Sequence, residues 1–277
     1  MRKIFMLLVA CVAMMCVSCS KDDDATVNPD GKRLVSKIRC VDAGNELTYN
    51  ETTFQYDKNG NIEKITDKGR DVDYNNNQDD EWVDIFTFSR SGNKITSTTD
   101  LTHIDNDAGT THSEGVYMAV CTLNEKGCIT QYDKQRIDKE SSERHVCKYS
   151  YDNDGQLIKQ VYENGDTYEY TWTNGNLVSK RNLGNRYITP YTETYTYTNE
   201  ENKANIDFGT FNFESTGYAD YLELFGYLGK TNKNLLKKAN GREYDYEFDG
   251  DYVSTVKKYR VYNGERELIE TYYISYK

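Results

Sequence analysis

The chain has 277 residues, a formal net charge of −11 at pH 7 and a sequence pI near 4.9. An acidic chain of this kind repels nucleic acid and anionic lipid headgroups, so its composition argues against both as partners. It contains only two prolines but 25 tyrosines. Because tyrosine packs its ring while its hydroxyl stays hydrated, this composition favours β-strands.

Residues 1–18 have the plan of a lipoprotein signal peptide. Arg2 and Lys3 precede a short apolar stretch from Ile4 to Met15, and the small Ser18 stands before Cys19. The apolar stretch is too short for a spanning helix, which needs about 20 residues. We expect cleavage before Cys19 and acylation of that cysteine. An ordinary signal peptide with a chance cysteine is the alternative.

Residues 19–32 predict an acidic, flexible tether. The segment from Ser20 to Asp24 places three aspartates directly after Ser20 and Lys21. It resembles the export signal of surface-exposed Bacteroidota-type lipoproteins. This resemblance implies a lipid anchor in the outer membrane and exposure at the cell surface. A solvated charged linker is the simpler interpretation of the same residues.

Residues 33–277 repeat one phrase, which predicts a single domain of antiparallel hairpins. In the first clear copy, Phe54 and Tyr56 lie two apart, Asp57 and Gly60 follow, and Ile62 resumes the apolar pattern. Apolar residues two apart share one strand face, Asp or Asn starts a turn, and Gly adopts the positive φ that the turn requires. Further copies run over residues 86–95, 121–129, 149–157, 168–177 and 244–252.

One segment departs from the hairpin rhythm. Tyr218, Tyr221, Leu222 and Phe225 have helical spacing, which predicts one short helix near residues 216–226. A loop that includes residues 232–241 is expected to follow it, the two together covering an open end or edge of the sheet. The last predicted strands cover residues 252–262 and 267–276.

Three features carry a family resemblance: the signal with Cys19, the Tyr-Asp-x-x-Gly hairpins and the segment from Tyr227 to Leu235. With these features the chain resembles the uncharacterised Bacteroidota-type lipoproteins of unknown function that have a porin-like fold. The resemblance covers most of residues 33–277 and implies a closed or nearly closed antiparallel β-barrel. It brings no known activity and no known functional residue.

Strand alternation fits both a membrane barrel and a soluble one. In a membrane porin the apolar face meets lipid, and in a soluble barrel it points inward. The strongly polar mean hydropathy and the predicted acyl anchor favour an all-β, porin-like barrel that is soluble and tethered. Tyr168, Tyr170 and Trp172 would then share its inner face.

The residues that could bind a metal do not form a convincing pattern. Asp73 to Glu81 spaces oxygen ligands like the start of a calcium loop, and Asp84 stands near the closing position. The sixth position holds Gln78 instead of glycine, so a solvated hairpin loop is favoured. The three histidines, which are His103, His112 and His145, have no metal-ligand spacing. We predict no metal and no cofactor.

The cysteines that would remain in the mature barrel are Cys40, Cys121, Cys128 and Cys147. Cys121 and Cys128 flank one predicted turn and could meet, but the sequence does not decide between disulfides and free buried thiols.

The sequence indicates a general class of function but no specific activity. No serine elbow, phosphate-binding loop or nucleophilic cysteine is visible, so we predict no catalytic residue and no enzyme activity. Trp82 and Trp172 are the natural platforms for stacking on a sugar or anchoring a peptide, unless they fill the barrel core. We expect a surface-anchored binding or scaffold module for a glycan, a peptide or a partner protein. A hydrolase of polysaccharide or peptide that uses carboxylates, and an outer-membrane channel, are the alternatives.

Overall fold

The computed structural model describes residues 33–73, 78–139, 144–185, 188–206, 222 and 224–277. The predicted signal peptide and tether lie outside this part of the chain. The described residues form a closed barrel of 16 antiparallel strands, which confirms the predicted porin-like all-β fold. The strands are β1 Val35–Asp42, β2 Tyr49–Tyr56, β3 Ile62–Asp73, β4 Gln78–Ser91, β5 Lys94–Asp105, β6 Thr110–Leu123, β7 Ile129–Arg136, β8 Arg144–Tyr151, β9 Leu157–Tyr162, β10 Thr167–Thr173, β11 Asn176–Asn182, β12 Tyr191–Glu201, β13 Asn234–Ala239, β14 Arg242–Asp249, β15 Tyr252–Tyr262 and β16 Glu265–Tyr276.

The barrel has two different ends. Each strand pairs with its neighbours in sequence, and β1 pairs with β16 to close the ring. The repeated phrase forms the turns at one end, which we call the turn end. Val35 lies opposite Tyr276 there, so both termini of the barrel leave from the turn end. We call the opposite end the mouth.

Copies of the repeated phrase fold into the same turn. The Asp57 carboxylate accepts hydrogen bonds from the backbone amides of Asn59 and Asn61, each at 2.8 Å. Gly60 has a φ of 80°, a conformation that suits glycine. Asn124 and Asp152 accept the corresponding bonds in the turns from β6 to β7 and from β8 to β9. These three turns each join two neighbouring antiparallel strands.

The aromatic residue of the phrase has a second structural role, which we call the aromatic clasp. Near the end of an even-numbered strand, its polar atom donates to a backbone carbonyl at the start of the preceding strand. Five tyrosines and one tryptophan do this at 2.6–2.7 Å: Tyr56 to Val35, Tyr151 to Ile129, Trp172 to Leu157, Tyr197 to Leu177, Tyr246 to Leu236 and Tyr276 to Val253. In β4 and β6 the phrase has Phe88 and Leu123 at this position, which pack into the core instead.

The turn-end half of the barrel is filled. Ile65, Ile129, Leu177 and Val256 are fully buried although they lie four strands apart around the ring. A barrel of 16 strands is wide enough to hold a channel, so these residues need material in the lumen to cover them. The described residues between β12 and β13, which are 202–206, 222 and 224–233 and which we call the insert, supply it. Ile206, Leu222, Leu224 and Leu228 of the insert belong to the same buried cluster.

The insert is fixed to several hairpins. The amide of Ile129 donates to the carbonyl of Tyr227 at 2.8 Å, and the amide of Lys230 donates to the carbonyl of Gly155 at 2.9 Å. Phe225 makes edge-to-face contact with Phe54, with ring centroids 5.8 Å apart. The insert therefore closes the turn end, as the sequence predicts for a segment that covers an open end.

The sequence predicts a helix and a loop in the region of the insert. Leu222 and Leu224 are helical, but most of the predicted helix, including Tyr218 and Tyr221, lies outside the described residues. The expectation of a loop over residues 232–241 was wrong, because β13 occupies Asn234–Ala239 and completes the ring between β12 and β14. The described chain contains no helix of the length and apolarity required to cross a membrane.

The outer wall of the barrel is charged at mid-strand. On β1, β2 and β3, Glu51 accepts ion pairs from Lys37 at 3.4 Å and from Lys68 at 3.2 Å. Similar pairs join neighbouring strands elsewhere, namely Asp133 with Arg144 and Glu247 with Lys257, and the pair of Asp245 with Arg266 reaches across β15. The alternation thus places these ion pairs outside and the apolar cluster inside.

Candidate binding site at the barrel mouth

A row of polar and aromatic residues crosses four strands on the lumen side of the mouth. The register pairs Gln160 of β9 with Tyr168 of β10, Tyr168 with Asn182 of β11, and Asn182 with Tyr191 of β12. Tyr162 lies beside this row, opposite the buried Cys147 of β8. We call Gln160, Tyr162, Tyr168, Asn182 and Tyr191 the tyrosine patch.

Hydrogen bonds hold one side of the tyrosine patch in position. Gln160 Nε2 donates to the Tyr162 hydroxyl at 2.7 Å, and Gln160 Oε1 accepts from the Tyr170 hydroxyl at 2.6 Å. The rings of Tyr162 and Tyr168 meet edge to face with centroids 6.0 Å apart. Because its hydroxyl and its ring edge both have partners, Tyr162 keeps a fixed orientation although 37% of it is exposed.

The other side of the tyrosine patch contains an unused donor. Asn182 is fully buried, and its Oδ1 accepts from the amide of Gly184 at 2.6 Å. Among the described residues its Nδ2 is a buried side-chain nitrogen without a hydrogen-bond partner. Burial and the bond with Tyr168 raise the pKa of Tyr191 to about 12, while Asn182 lowers it slightly. The Asn182 amide therefore lies near the Tyr191 hydroxyl, but the two groups do not have the geometry of a hydrogen bond.

The charge beneath the tyrosine patch is balanced. Lys180 Nζ lies 5.0 Å from the centroid of the Tyr168 ring and 3.9 Å from Glu193 Oε2. The Tyr195 hydroxyl donates to the same Glu193 oxygen at 2.6 Å. One cation and one anion thus neutralise each other, and the patch offers aromatic faces, hydroxyls and amides to a ligand.

A second aromatic feature lies on the long strands β3 to β6, which extend past their neighbours at the mouth. Trp82 stands opposite Gly69 in the register. A Cβ added to Gly69 would lie 2.0 Å from a carbon of the Trp82 indole. The absence of a side chain at position 69 therefore lets the indole lie flat on the strand, which is the close approach that glycine permits.

Two carboxylates stand side by side below Trp82. Asp67 and Asp84 are direct cross-strand partners, and Asp67 Oδ1 accepts hydrogen bonds from Asn50 at 2.8 Å and Thr52 at 2.9 Å. Burial, and then the negative charge of Asp67, raise the pKa of Asp84 to about 7. Asp67 thus has two side-chain donors, and Asp84 is the member of the pair with the raised pKa.

His103 at the mouth is held by acidic neighbours. His103 Nε2 lies 3.1 Å from Asp80 Oδ1, and its Nδ1 lies 3.5 Å from Glu114 Oε1. The hydrogen bond with Asp80 raises the pKa of His103. The register also pairs His103 with His112, a proximity that their sequence spacing did not indicate. His145 stands opposite Lys134 on other strands.

The acidic segment that resembled a calcium loop distributes its described carboxylates among separate partners. Residues 74–77 lie outside the described chain. Asp79 forms a two-bond ion pair with Arg70 at 2.6 and 2.8 Å, and Asp80 contacts His103. Nowhere in the described ranges do three His, Cys, Asp or Glu side chains group closely enough to hold a metal ion.

A further cluster lies across the mouth on β1, β15 and β16. Lys258, which is only 3% exposed, bonds Glu270 at 3.2 Å, and Glu270 also accepts a bond from the Tyr272 hydroxyl. A cavity of about 550 Å³ beside it is lined by Arg242, Arg260, Glu267 and Asp42. Lys258 and Glu270 neutralise each other, which explains how a lysine is tolerated at this depth.

The four cysteines of the barrel are free thiols. Burial raises the pKa of Cys40 and of Cys121 to about 12, so neither is a reactive thiolate at neutral pH. Cys121 and Cys128, which could have met across their turn, are not bonded.

The two predicted platforms have different surroundings. Trp172 Nε1 donates to the carbonyl of Leu157 at 2.7 Å and its ring packs on the core, so it is an aromatic clasp. Trp82 lies in the mouth, where a ligand can approach. The tyrosine patch was missed at the sequence level because its members come from four strands. The dense tyrosines between residues 162 and 191 were the one available signal.

Comparison with solved structures shows a shared fold. A porin-like protein from Bacteroides uniformis superposes with a TM-score of 0.63 over 92% of this chain and 100% of its own, at 15% sequence identity. A porin-like protein from Bacteroides vulgatus has a TM-score of 0.28 at 10% identity, over 88% of this chain and 99% of its own. No protein-family model matches the chain, and no curated protein matches it.

Proposed function

We propose that the protein is a non-enzymatic binding module, tethered to the outer membrane through Cys19, that receives its ligand at the barrel mouth. The observation that carries this proposal is the difference between the two ends. Both termini of the barrel and the insert lie at the turn end, which is closed. Aromatic and polar side chains lie at the mouth, so an anchored chain presents them away from its point of attachment.

The composition of the outer wall supports a barrel that stands in water on its tether. A lipid-facing wall requires an apolar band, and an arginine or lysine at its centre costs about 2–4 kcal/mol. The pairs of Glu51 with Lys37 and Lys68 lie on this wall, as do those on β13 to β16. The filled turn end also argues against an open pore as the main role.

The hydrolase alternative has one candidate, the pair Asp67 and Asp84. A glycosidase requires an acid that donates a proton and a carboxylate that acts as base or nucleophile. Asp84 carries a raised pKa, but Asp67 already accepts hydrogen bonds from Asn50 and Thr52. This engagement supports a structural role for the pair, and Asp84→Asn distinguishes the two: it abolishes turnover in a hydrolase and leaves a binding module functional.

The proposal is tested with two matched insertions of one epitope. The first follows Gly264 in the mouth turn from β15 to β16, and the second follows Gly250 in the turn-end hairpin from β14 to β15. A ligand is first found on glycan and peptide arrays. Antibody bound at the mouth should block its capture, and antibody bound at the turn end should not.

A Cys19→Ala variant forms the second arm. It should leave the membrane fraction and retain ligand capture, because the anchor and the mouth are separate. Blockage only from the turn end, or conversion of captured ligands into products, would refute the proposal.

A further inference from the structure

We propose that the tyrosine patch binds an uncharged oligosaccharide, with Tyr162 and Tyr191 as stacking platforms and Asn182 Nδ2 as a hydrogen-bond donor to a sugar oxygen. This inference rests on the proposed binding function and names the ligand class and the residues. It is carried by three observations on β9 to β12: two exposed rings, a buried donor without a partner, and balanced charge.

The two platforms are more exposed than the other lumen-facing tyrosines of β9 to β12. Tyr162 is 37% exposed and Tyr191 is 43% exposed, whereas Tyr170 and Tyr195 of the same strands are buried. An apolar ring left in solvent beside hydrogen-bonding amides is typical of ligand sites, which combine aromatic surface with a few placed polar groups. Tyrosine supplies such surface at a low cost in conformational entropy.

The side-chain amide of Asn182 is a buried donor without a partner. A buried polar atom without a partner loses its hydrogen bonds to water without replacing them, so native structures rarely leave one. Asn182 Nδ2 is such an atom, and its neighbour in the register is the partly exposed Tyr191. A small movement of that ring admits a ligand oxygen to Nδ2, which would then acquire its missing acceptor.

The geometry favours a sugar over a peptide. Peptides commonly bind by adding a strand to a free sheet edge. β9, β10, β11 and β12 each pair with strands on both sides, so the patch has no free edge. A ligand on this face meets side chains alone, and it must supply hydroxyls for amides and phenols and flat apolar surface for rings. A pyranose has both.

The charge and the spacing define the sugar further. Lys180 and Glu193 compensate each other, so the patch does not select an anion or a cation. Tyr162 and Tyr191 are three strands apart, about 14 Å at the backbone for a strand spacing of 4.7–4.9 Å. A ligand that contacts both rings therefore contains more than one sugar unit, and a monosaccharide should bind weakly.

The test measures binding of neutral oligosaccharides of glucose, mannose, galactose and xylose to the whole chain, first on an array and then by calorimetry. We expect at least one to bind. Tyr162→Ala and Tyr191→Ala should each weaken binding about tenfold, which is about 1.4 kcal/mol, and the double variant about a hundredfold. Tyr191→Phe should retain most of the affinity because it preserves the ring.

The matched control is Tyr262→Ala, which removes an even more exposed tyrosine from the end of β15, outside the patch. Its affinity should equal that of the native chain, and urea unfolding should show that all the variants fold. Absence of binding to every neutral oligosaccharide would refute the inference, as would an unchanged affinity in the double variant. If peptides bind at the mouth instead, the proposed binding function stands and the sugar assignment fails.

Discussion

At the scale of single residues, the pair of Asp67 and Asp84 makes stability depend on pH. The folded state holds the proton of Asp84 to about pH 7, while an unfolded aspartate loses it near its ordinary pKa of 3.8. The folded state therefore binds more protons between these values, and the free energy of unfolding falls as the pH rises through this window. This loss of stability is complete about one pH unit above the pKa of Asp84, at about pH 8.

Replacing the carboxylate tests this reasoning. Asp84→Asn should be more stable than the native chain at pH 8, by about 1–2 kcal/mol after allowance for solvent screening. The difference should shrink as the pH falls toward 4. Urea unfolding at several pH values measures it, with Asp154→Asn in an exposed turn as the control. A difference that is constant with pH would contradict the assignment of the proton to Asp84.

At the scale of secondary-structure elements, the aromatic clasps join six of the eight even-numbered strands to the strand before them at the turn end. Tyr56→Phe, Tyr151→Phe or Tyr246→Phe removes one hydroxyl and leaves a strand carbonyl without that donor. Each should lower the free energy of unfolding by about 1 kcal/mol. Because the clasps lie on separate hairpins, a double variant should lose about the sum.

Urea unfolding measures these differences, and Tyr262→Phe serves as the control because its side chain is mostly exposed. The chain already tolerates Phe88 and Leu123 at two of the positions, which indicates that a clasp is not needed in every hairpin. If all the variants unfold at the same urea concentration as the native chain, the clasps contribute no net stability.

The same elements show which parts of the structure the sequence predicts. Hairpins are local. The turn that starts at Asp57 and the alternation of Phe54 and Tyr56 lie within a few residues, so the sequence pattern predicts the hairpin. β13 was missed because Leu235 and Leu236 are adjacent and both buried, which breaks simple alternation. Register shifts, such as that between Thr171 and Trp172, likewise have no signal in the sequence.

The candidate site was less predictable than the fold, because its members become neighbours only through pairing of β9 to β12. Trp82 could be named from its type, but the role of Gly69 beneath it depends on a cross-strand partner 13 positions away. Asn182 carries no sequence signal at all. Its importance arises from being buried without a partner for one nitrogen, a property of the assembled barrel.

At the scale of the whole molecule, the outer wall and the filled lumen lead to one expectation about membranes. Ion pairs such as Asp133 with Arg144 and Asp245 with Arg266 would have to be moved from water into hydrocarbon if the barrel were inserted. That transfer is unfavourable by several kcal/mol for the wall as a whole. We therefore expect the Cys19→Ala chain to remain monodisperse in buffer without detergent.

If the proposed tethered, filled barrel is correct, the same chain should produce no conductance steps in planar bilayers, because it would neither insert nor offer an open bore. A 16-stranded porin measured in the same bilayers is the control for the sensitivity of the assay, since a barrel of that size leaves an aqueous channel. A Leu228→Ala variant, which loosens the insert, distinguishes a filled lumen from a failure to insert as the cause of the missing conductance. If a filled lumen alone prevented conduction, this variant would conduct. If the charged wall prevents insertion, it stays silent, and steady conductance by the native chain would overturn the tethered-barrel interpretation.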